Sequence, residues 1–581
     1  MKLFLLLSLV YASDAYRILV VFPMPGKSHS ILGQGFVDTL SQAGHEVTYI
    51  TAFPYEKPPA NVRQVNISSV IDNVPSDILK ITNLVNSPFR AHMAALMGPG
   101  MMVTLLDHEN VQEFLADTTQ KFDVVIVEWF YTSLLAGFAS IYKAPLIWVS
   151  SMDPHWQVLE IVDEPSNPAY TASVLTKATP PFGFFDRVNE LFMQLYVKFL
   201  TIIANFVLAR PTYNKHFVPA FEKRGMIPPG YDEMAHNGSF MFFNAQPVLS
   251  IGQRLTQNTR YIGGYHIDPD TKPLPENLKK IFDNAKNGVI YFSMGSNLKS
   301  KDMSDYTKRG LLEMFGTLKQ TVLWKFEEEL RDLPHNVHIV KWAPQPSILS
   351  HPKTVLFITH GGKLSTIEAI HYGVPVIGVP IFGDQFANMD QAVLKGYGIK
   401  VDYEEDLAKP LRAALDEMLS KPSYAEIAKR ISTIFHDVIA SPRQELVHWV
   451  EHVVRTQGAP HLRSIALHVP WYQKIYLDLI AVTVILLNSL NEVVSAFDTP
   501  YALVDVNLCS FLRMCLGKNS NFLKLISKRC TRSELVNCAN GSLLQHRNSM
   551  NIRGVSAEKD AIRHQTMETA KINQSGSFDV R

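Results

Sequence analysis

Cysteine is nearly absent from this chain: there are four among 581 residues (Cys509, Cys515, Cys530, Cys538), all in the C-terminal tail. The body must therefore hold together through the size of its core and not through disulfides. No Cys-x-x-Cys spacing occurs, which removes zinc ribbons and thioredoxin-type redox chemistry. Excess charge is missing too: 55 Lys and Arg face 54 Asp and Glu, a net charge of +1, so global electrostatics offer no nucleic-acid partner. The first strand is not followed by Gly-x-Gly-x-x-Gly, which excludes a Rossmann dehydrogenase. Gly26-Lys27-Ser28 has Val21 where a P-loop needs its first glycine, which excludes that class of ATPase. Long apolar runs are scarce: residues 475 to 487 fall short of the roughly 20 needed to cross a bilayer and include Asp478. No internal repeat occurs.

What is present begins with a leader. Met1-Lys2 precedes an apolar block, and Ser13 and Ala15 stand where signal peptidase reads small residues, so residues 1 to 15 are expected to be a secretory signal. A lumenal body would make the sequons at Asn66 and Asn237 usable as glycosylation acceptors, while those at Asn540 and Asn573 count only if the tail is lumenal. From residue 17 an apolar run, a loop, then Leu32, Phe36, Val37 and Leu40 at helical spacing and a stop at Gly44 predict a βαβ unit. Further strands are predicted over 122–127 and 145–150. A second alternating block starts at 288, with strands over 321–326, 337–342, 354–359 and 375–380. Two such blocks predict an α/β fold of two facing, doubly wound Rossmann-like domains, with ligands at the strands' carboxyl ends. Residues 191 to 208 are strongly apolar, and they read either as a membrane-facing or acceptor-lining helix or as a buried core helix. Gln194, Lys198 and Asn205 interrupt any spanning run there. Phe130, Trp156, Phe182 and Phe185 read either as acceptor-pocket lining or as core.

The densest chemistry lies between 342 and 388. A strand ending in His360-Gly361-Gly362 and opening a helix leaves backbone N–H groups and the positive end of the helix dipole free for a diphosphate. Taken alone, this fits any phosphate binder. Trp342-Ala-Pro-Gln345 precedes it, and Glu368-Ala369, Gly373-Val-Pro375 and Asp384-Gln385 follow. Together these closely resemble the signature of the UDP-glycosyltransferase family. Gly263-Gly264, Phe292-Ser-Met-Gly-Ser296 and Trp471-Tyr-Gln473 agree, the resemblance spans about 17 to 487, and Ser365-Thr366 looks like arthropod, UDP-glucosyltransferase-type members.

The resemblance implies a GT-B enzyme. Its parts would be an acceptor-binding domain over 16–265, a UDP-sugar-binding domain over 266–440, and a helix and connector over 441–470. A short candidate membrane segment over 471–490 and an atypical tail over 491–581, expected to be disordered, would follow. It implies Trp342 stacked on uracil and Gln345 bonded to the nucleoside, as an indole face suits a flat base and an amide its polar edge. Glu368 would take the ribose hydroxyls. Ser296, His360, Gly362 and Ser365 would meet the diphosphate, and Asp384 and Gln385 the sugar. His29, on the loop leaving the first strand, resembles the family's general base, since an imidazole with a pKa near 6.5 can accept a hydroxyl proton. The family's orienting aspartate aligns with Glu128, one methylene longer. No metal-ligand cluster occurs, so UDP-sugar is expected as co-substrate with no cofactor.

The expected activity is inverting transfer of a hexose, glucose first, to hydroxyls of small lipophilic acceptors, as in detoxification, in the endoplasmic reticulum lumen on a weak or incomplete membrane anchor. The competing expectation arises from Glu128 and from the unfamiliar sequence beyond 487. It is a catalytically weak UDP-sugar-binding partner that modulates full-length relatives, as a homo- or hetero-oligomer.

Overall fold

The structure, a computed structural model, describes residues 15–72, 90–162, 167–171, 180–296 and 298–496. The expectations for the leader up to residue 14 and for the tail beyond 496, with its cysteines and sequons, lie outside those residues.

Runs of β-branched and aromatic residues build two sheets within the unit that ends at Ile475. The first contains β1 (Arg17–Phe22), β2 (Glu46–Thr51), β3 (Val62–Asn66), β4 (Val124–Trp129), β5 (Leu146–Ser150), β6 (Gly238–Phe243) and β7 (Thr259–Tyr261). Their order is β3-β2-β1-β4-β5-β6-β7, with every pair parallel. The second contains β8 (Val289–Ser293), β9 (Thr321–Lys325), β10 (Val337–Val340), β11 (Thr354–Thr359), β12 (Val376–Gly378) and β13 (Gly398–Lys400). It runs β10-β9-β8-β11-β12-β13, again parallel throughout. β4 is buried at every residue, as strands covered on both faces are. Alternate residues serve opposite faces: Leu19 and Val21 join one core cluster, Ile18, Val20 and Phe22 another. The expected pair of doubly wound domains is therefore present.

Each sheet reverses its direction of growth once, between β1 and β4 and between β8 and β11. Such switch points open crevices at the strands' carboxyl ends. The loop after β1, the end of β4, the loop after β8 and the end of β11 are thus the four segments best placed to hold a ligand.

The chain then returns to the first sheet. The helix Pro442–Arg455 starts at a capping box, Ser441 accepting from Gln444 N while the Gln444 side chain accepts from Ser441 N. It buries Leu446, Val450 and Val453 in the cluster that contains Ile18 and Val20. Each such side chain contributes roughly 1.5–3 kcal/mol when fully buried.

Three expectations need correcting. The strand expected over 122–127 runs two residues later, which brings Glu128 inside β4. The buried-core reading of 191–208 fails, because the helix Phe184–Ala204 packs inside out. It buries Glu190, Gln194, Val197 and Ala204 and exposes Phe185, Leu191, Phe192, Leu195, Phe199 and Ile202, the reverse of a water-facing amphipathic helix. Phe185 belongs to that outer face, so it lines no pocket and fills no core, whereas Trp156 and Phe182 are buried. Among the described residues, only the stretch Phe184–Glu222 is long and apolar enough to cross a membrane by length and composition. In the second unit, from Tyr476, the helix Leu477–Ala496 continues past residue 487, and its apolar part, Leu477–Asn491, is shorter.

Candidate active site

Gly26 caps the helix Lys27–Gln42, which places His29 in the helix's first turn and not on the loop before it. His29 Nδ1 pairs with Oε1 of Glu128, whose side chain is fully buried at the end of β4. The added methylene of glutamate thus does not prevent the dyad. Glu128 Oε2 has no hydrogen-bond partner among the described residues. Phe130 sets its ring edge-on to the imidazole at 5.4 Å and 88°. Burial pulls the His29 pKa down. The Glu128 charge, its hydrogen bond and the carboxylate of Asp384 on the facing domain outweigh burial and hold the pKa above the ordinary value.

On the second domain, β11 ends at Thr359, and Gly362 caps the helix Lys363–His371. The His360 ring lies between two glycines: a Cβ at Gly295 or at Gly362 would come within 2.5 Å of it. Gly295 also has φ +84°, a conformation that favours glycine. Burial and then the nearby Lys325 charge push His360 down to about 4, so it is neutral at physiological pH. Ser296 follows Gly295 on the loop after β8 and is half-buried.

Gln345 links two further predicted residues, donating from Nε2 to Ser365 Oγ at 3.1 Å and to Glu368 Oε2 at 2.7 Å. Glu368 is buried, and its Oε1 lies 3.2 Å from His266 Nε2. Trp342 is 55% exposed, with Lys325 Nζ 5.7 Å from its ring centre. Lys325 Nζ also donates to Gly295 O and pairs with Glu327. Asp384 precedes the helix Gln385–Leu394 and accepts from Asn388 Nδ2 at 2.8 Å. Burial raises the Asp384 pKa. Gln385 Oε1 accepts from the N–H groups of Ile381 and Phe382.

The structure thus brings His29 and Glu128 together, links Gln345, Ser365 and Glu368, and sets Asp384 within electrostatic reach of His29. Asn66 and Asn237 are both exposed; Asn66 Oδ1 accepts from Ser68 N, and Asn237 Oδ1 accepts from Arg463. Sequence reasoning missed four contributors. Asn388 and Lys363 stand inside the quoted motif block, and His266 stands two residues after Gly264, so position alone could have flagged them. Asp153, which holds Lys363 Nζ at 2.6 Å, is 210 residues from it and carries no local signal. Among the described residues, no group of three or more His, Cys, Asp or Glu side chains is arranged to hold a metal ion.

Residues 17–501 match the family model described as UDP-glucoronosyl and UDP-glucosyl transferase, beyond the limit of 487 expected for the resemblance. The chain is 32% identical over 480 residues to UDP-glucosyltransferase 2 of Dactylopius coccus, covering 81% of this chain and 90% of that one. It is 28% identical over 497 residues to the ecdysteroid UDP-glucosyltransferase of Spodoptera littoralis nuclear polyhedrosis virus, covering 81% and 94%. Among solved structures, the calicheamicin glycosyltransferase CalG4 aligns with 76% of this chain and 99% of its own at 17% identity, with a TM-score of 0.48. The chain belongs to the UDP-glucuronosyl and UDP-glucosyl transferase family and is a UDP-sugar glycosyltransferase of two doubly wound domains.

Proposed function

We propose that the protein is an inverting transferase that moves a hexose, glucose first, from a UDP-sugar to a hydroxyl of a small lipophilic acceptor, with His29 as general base. The observation that carries this reading is the buried Glu128–His29 pair within electrostatic reach of Asp384 on the facing domain. With Nδ1 engaged by Glu128, Nε2 is the nitrogen left to take the acceptor's proton. The acceptor oxygen then attacks C1 of the sugar from the face opposite UDP. The bond from C1 to the phosphate oxygen breaks, and the configuration at C1 inverts. Glu128 steadies the imidazolium that forms.

In this reading the charge on departing UDP meets the N–H groups that open the Lys363–His371 helix and the neutral His360. The exposed indole of Trp342 offers a stacking face to uracil, and buried Glu368 offers paired acceptors to the ribose. Gln385, its oxygen occupied by backbone, presents its amide nitrogen to the sugar beside the Asp384 carboxylate. The name of the viral relative, an ecdysteroid glucosyltransferase, supports a lipophilic acceptor. No step calls for a metal, so a chelator should leave the rate unchanged.

The leader-like start and the exposed Asn66 and Asn237 support a glycosylated body in the endoplasmic reticulum lumen. The outward apolar face of the Phe184–Ala204 helix supports apposition to its membrane, which carbonate extraction would test. For the transfer itself, the purified protein is given UDP-glucose and a panel of phenols, steroids and plant aglycones. The product's anomeric configuration is then read by NMR. A β-glycoside is expected from the α-linked donor; an α-glycoside, or no UDP release with any acceptor, would sink the reading.

A further inference from the structure

The family's description names both a neutral sugar and an acidic one, so the charge tolerated in the sugar subsite decides which donor a member uses. In this chain a lysine beside that subsite is already paired. Lys363 is the first residue of the helix that opens after Gly362, and its side chain is 95% removed from solvent. Its Nζ crosses the cleft to Asp153 Oδ2 at 2.6 Å, on the loop that follows β5 of the facing domain. Ser250 Oγ donates to the other oxygen of Asp153 and fixes the carboxylate. Both charges act on Asp384: the ammonium of Lys363 steadies its ionised form and the carboxylate of Asp153 disfavours it. Asn388 Nδ2 donates both to Gly361 O, two residues before Lys363, at 3.0 Å and to Asp384 Oδ2 at 2.8 Å, so the pair borders the place where Asp384 and Gln385 would hold the sugar. Lys395, half-buried nearby, senses the same two charges.

A free ammonium in such a position would be the natural counter-charge for a sugar carboxylate. Here the ammonium is neutralised, and the two carboxylates within electrostatic reach of it, Asp153 and Asp384, suit hydroxyl groups and repel a third carboxylate. A uronate could gain Lys363 only by displacing Asp153, which would leave a partly buried carboxylate without its counter-charge. We propose that the Lys363–Asp153 bridge is the donor-charge selector of this enzyme, admitting a neutral hexose and turning away a hexuronate. The proposal rests on the reading that Asp384 and Gln385 hold the sugar of the donor.

The test begins with the unaltered protein. UDP-glucose and UDP-glucuronate are each competed against UDP in a binding assay. UDP-glucose is expected to bind at least tenfold tighter, and equal binding, or tighter binding of UDP-glucuronate, overturns the selector while leaving the donor site standing. Binding of neither sugar nucleotide overturns the donor-site reading and the selector with it. The second arm is Asp153→Asn, which keeps the shape and releases the ammonium. The ratio of kcat/KM for UDP-glucuronate over UDP-glucose should rise about tenfold or more, corresponding to about 1.4 kcal/mol. Adding Lys363→Met to that variant should return the ratio to its starting value. A ratio that Asp153→Asn does not move, or a gain that survives Lys363→Met, contradicts the assignment. A purely structural bridge would lower both donors together and leave the ratio unchanged.

Discussion

Glu128→Gln keeps the size of the side chain that orients His29 and removes only its charge. The imidazolium formed during transfer then faces a neutral amide. A hydrogen bond to a charged group contributes about 1.5–3 kcal/mol and a neutral one about 1, so the transition state loses at least about 0.5 kcal/mol. The upper bound is the Coulomb energy of a close pair, about 4 kcal/mol at an effective dielectric of 20. At about 1.36 kcal/mol per decade, kcat should fall between roughly 2- and 1000-fold. The amide can also donate to Nδ1 and select the wrong tautomer, which moves the effect toward the larger figure. The pH profile supplies a second readout. His29 works only when unprotonated, so the rate climbs with pH through its pKa, which in the native protein is held above 6.5. Once the carboxylate is gone, burial still lowers that pKa and only Asp384 remains to raise it, so the acid limb must move to lower pH while the plateau drops. Steady-state UDP release across roughly pH 5 to 9 with saturating acceptor measures both. A folded variant with unchanged kcat and an unmoved acid limb would refute the dyad.

Other outcomes follow from the same geometry. Trp342→Ala should raise the donor KM roughly 5- to 150-fold, as base stacking on an aromatic ring contributes about 1–3 kcal/mol. Its melting temperature should hardly change, because the indole is 55% exposed. Gly362→Ala places a methyl within 2.5 Å of the His360 ring and should weaken UDP binding measured by calorimetry, whereas Gly252→Ala meets nothing within 4 Å and should leave it alone. Acid should destabilise the fold. His155, His360 and His371 are each lowered from 6.5 to about 4, chiefly by burial, so between those values the unfolded chain binds protons that the folded one refuses. Their contribution is intact above 6.5 and is lost as pH falls toward 4, and the urea midpoint should drop across that window. A flat midpoint would contradict the buried, neutral state of these rings.

The nucleotide half of the site was legible because its residues are close in sequence: His360, Gly362, Ser365 and Glu368 lie on one strand–helix turn. The parallel strands could be read where burial on both faces leaves a continuous apolar run, as in β1 and β11. β3, β7 and β13 are short edge elements, and β7 and β13 have three residues each, too few to show a period. The orientation of the Phe184–Ala204 helix could not be read from composition, since an apolar stretch looks the same whether it faces a core or the outside; only the burial of Glu190 and Gln194 decides it. His29 and Glu128 are 99 residues apart and meet because β1 and β4 are neighbours at the switch point, a fact of topology that the family resemblance supplied and local pattern did not.

The central claim is that His29 takes the acceptor's proton at a site where UDP-sugar is bound independently. Replacing it tests this most directly: with His29→Ala, kcat should fall by about 100-fold or more, the range for loss of a positioned general base, while the affinity for UDP stays as it was. Turnover by His29→Ala close to that of the unaltered protein would contradict the account.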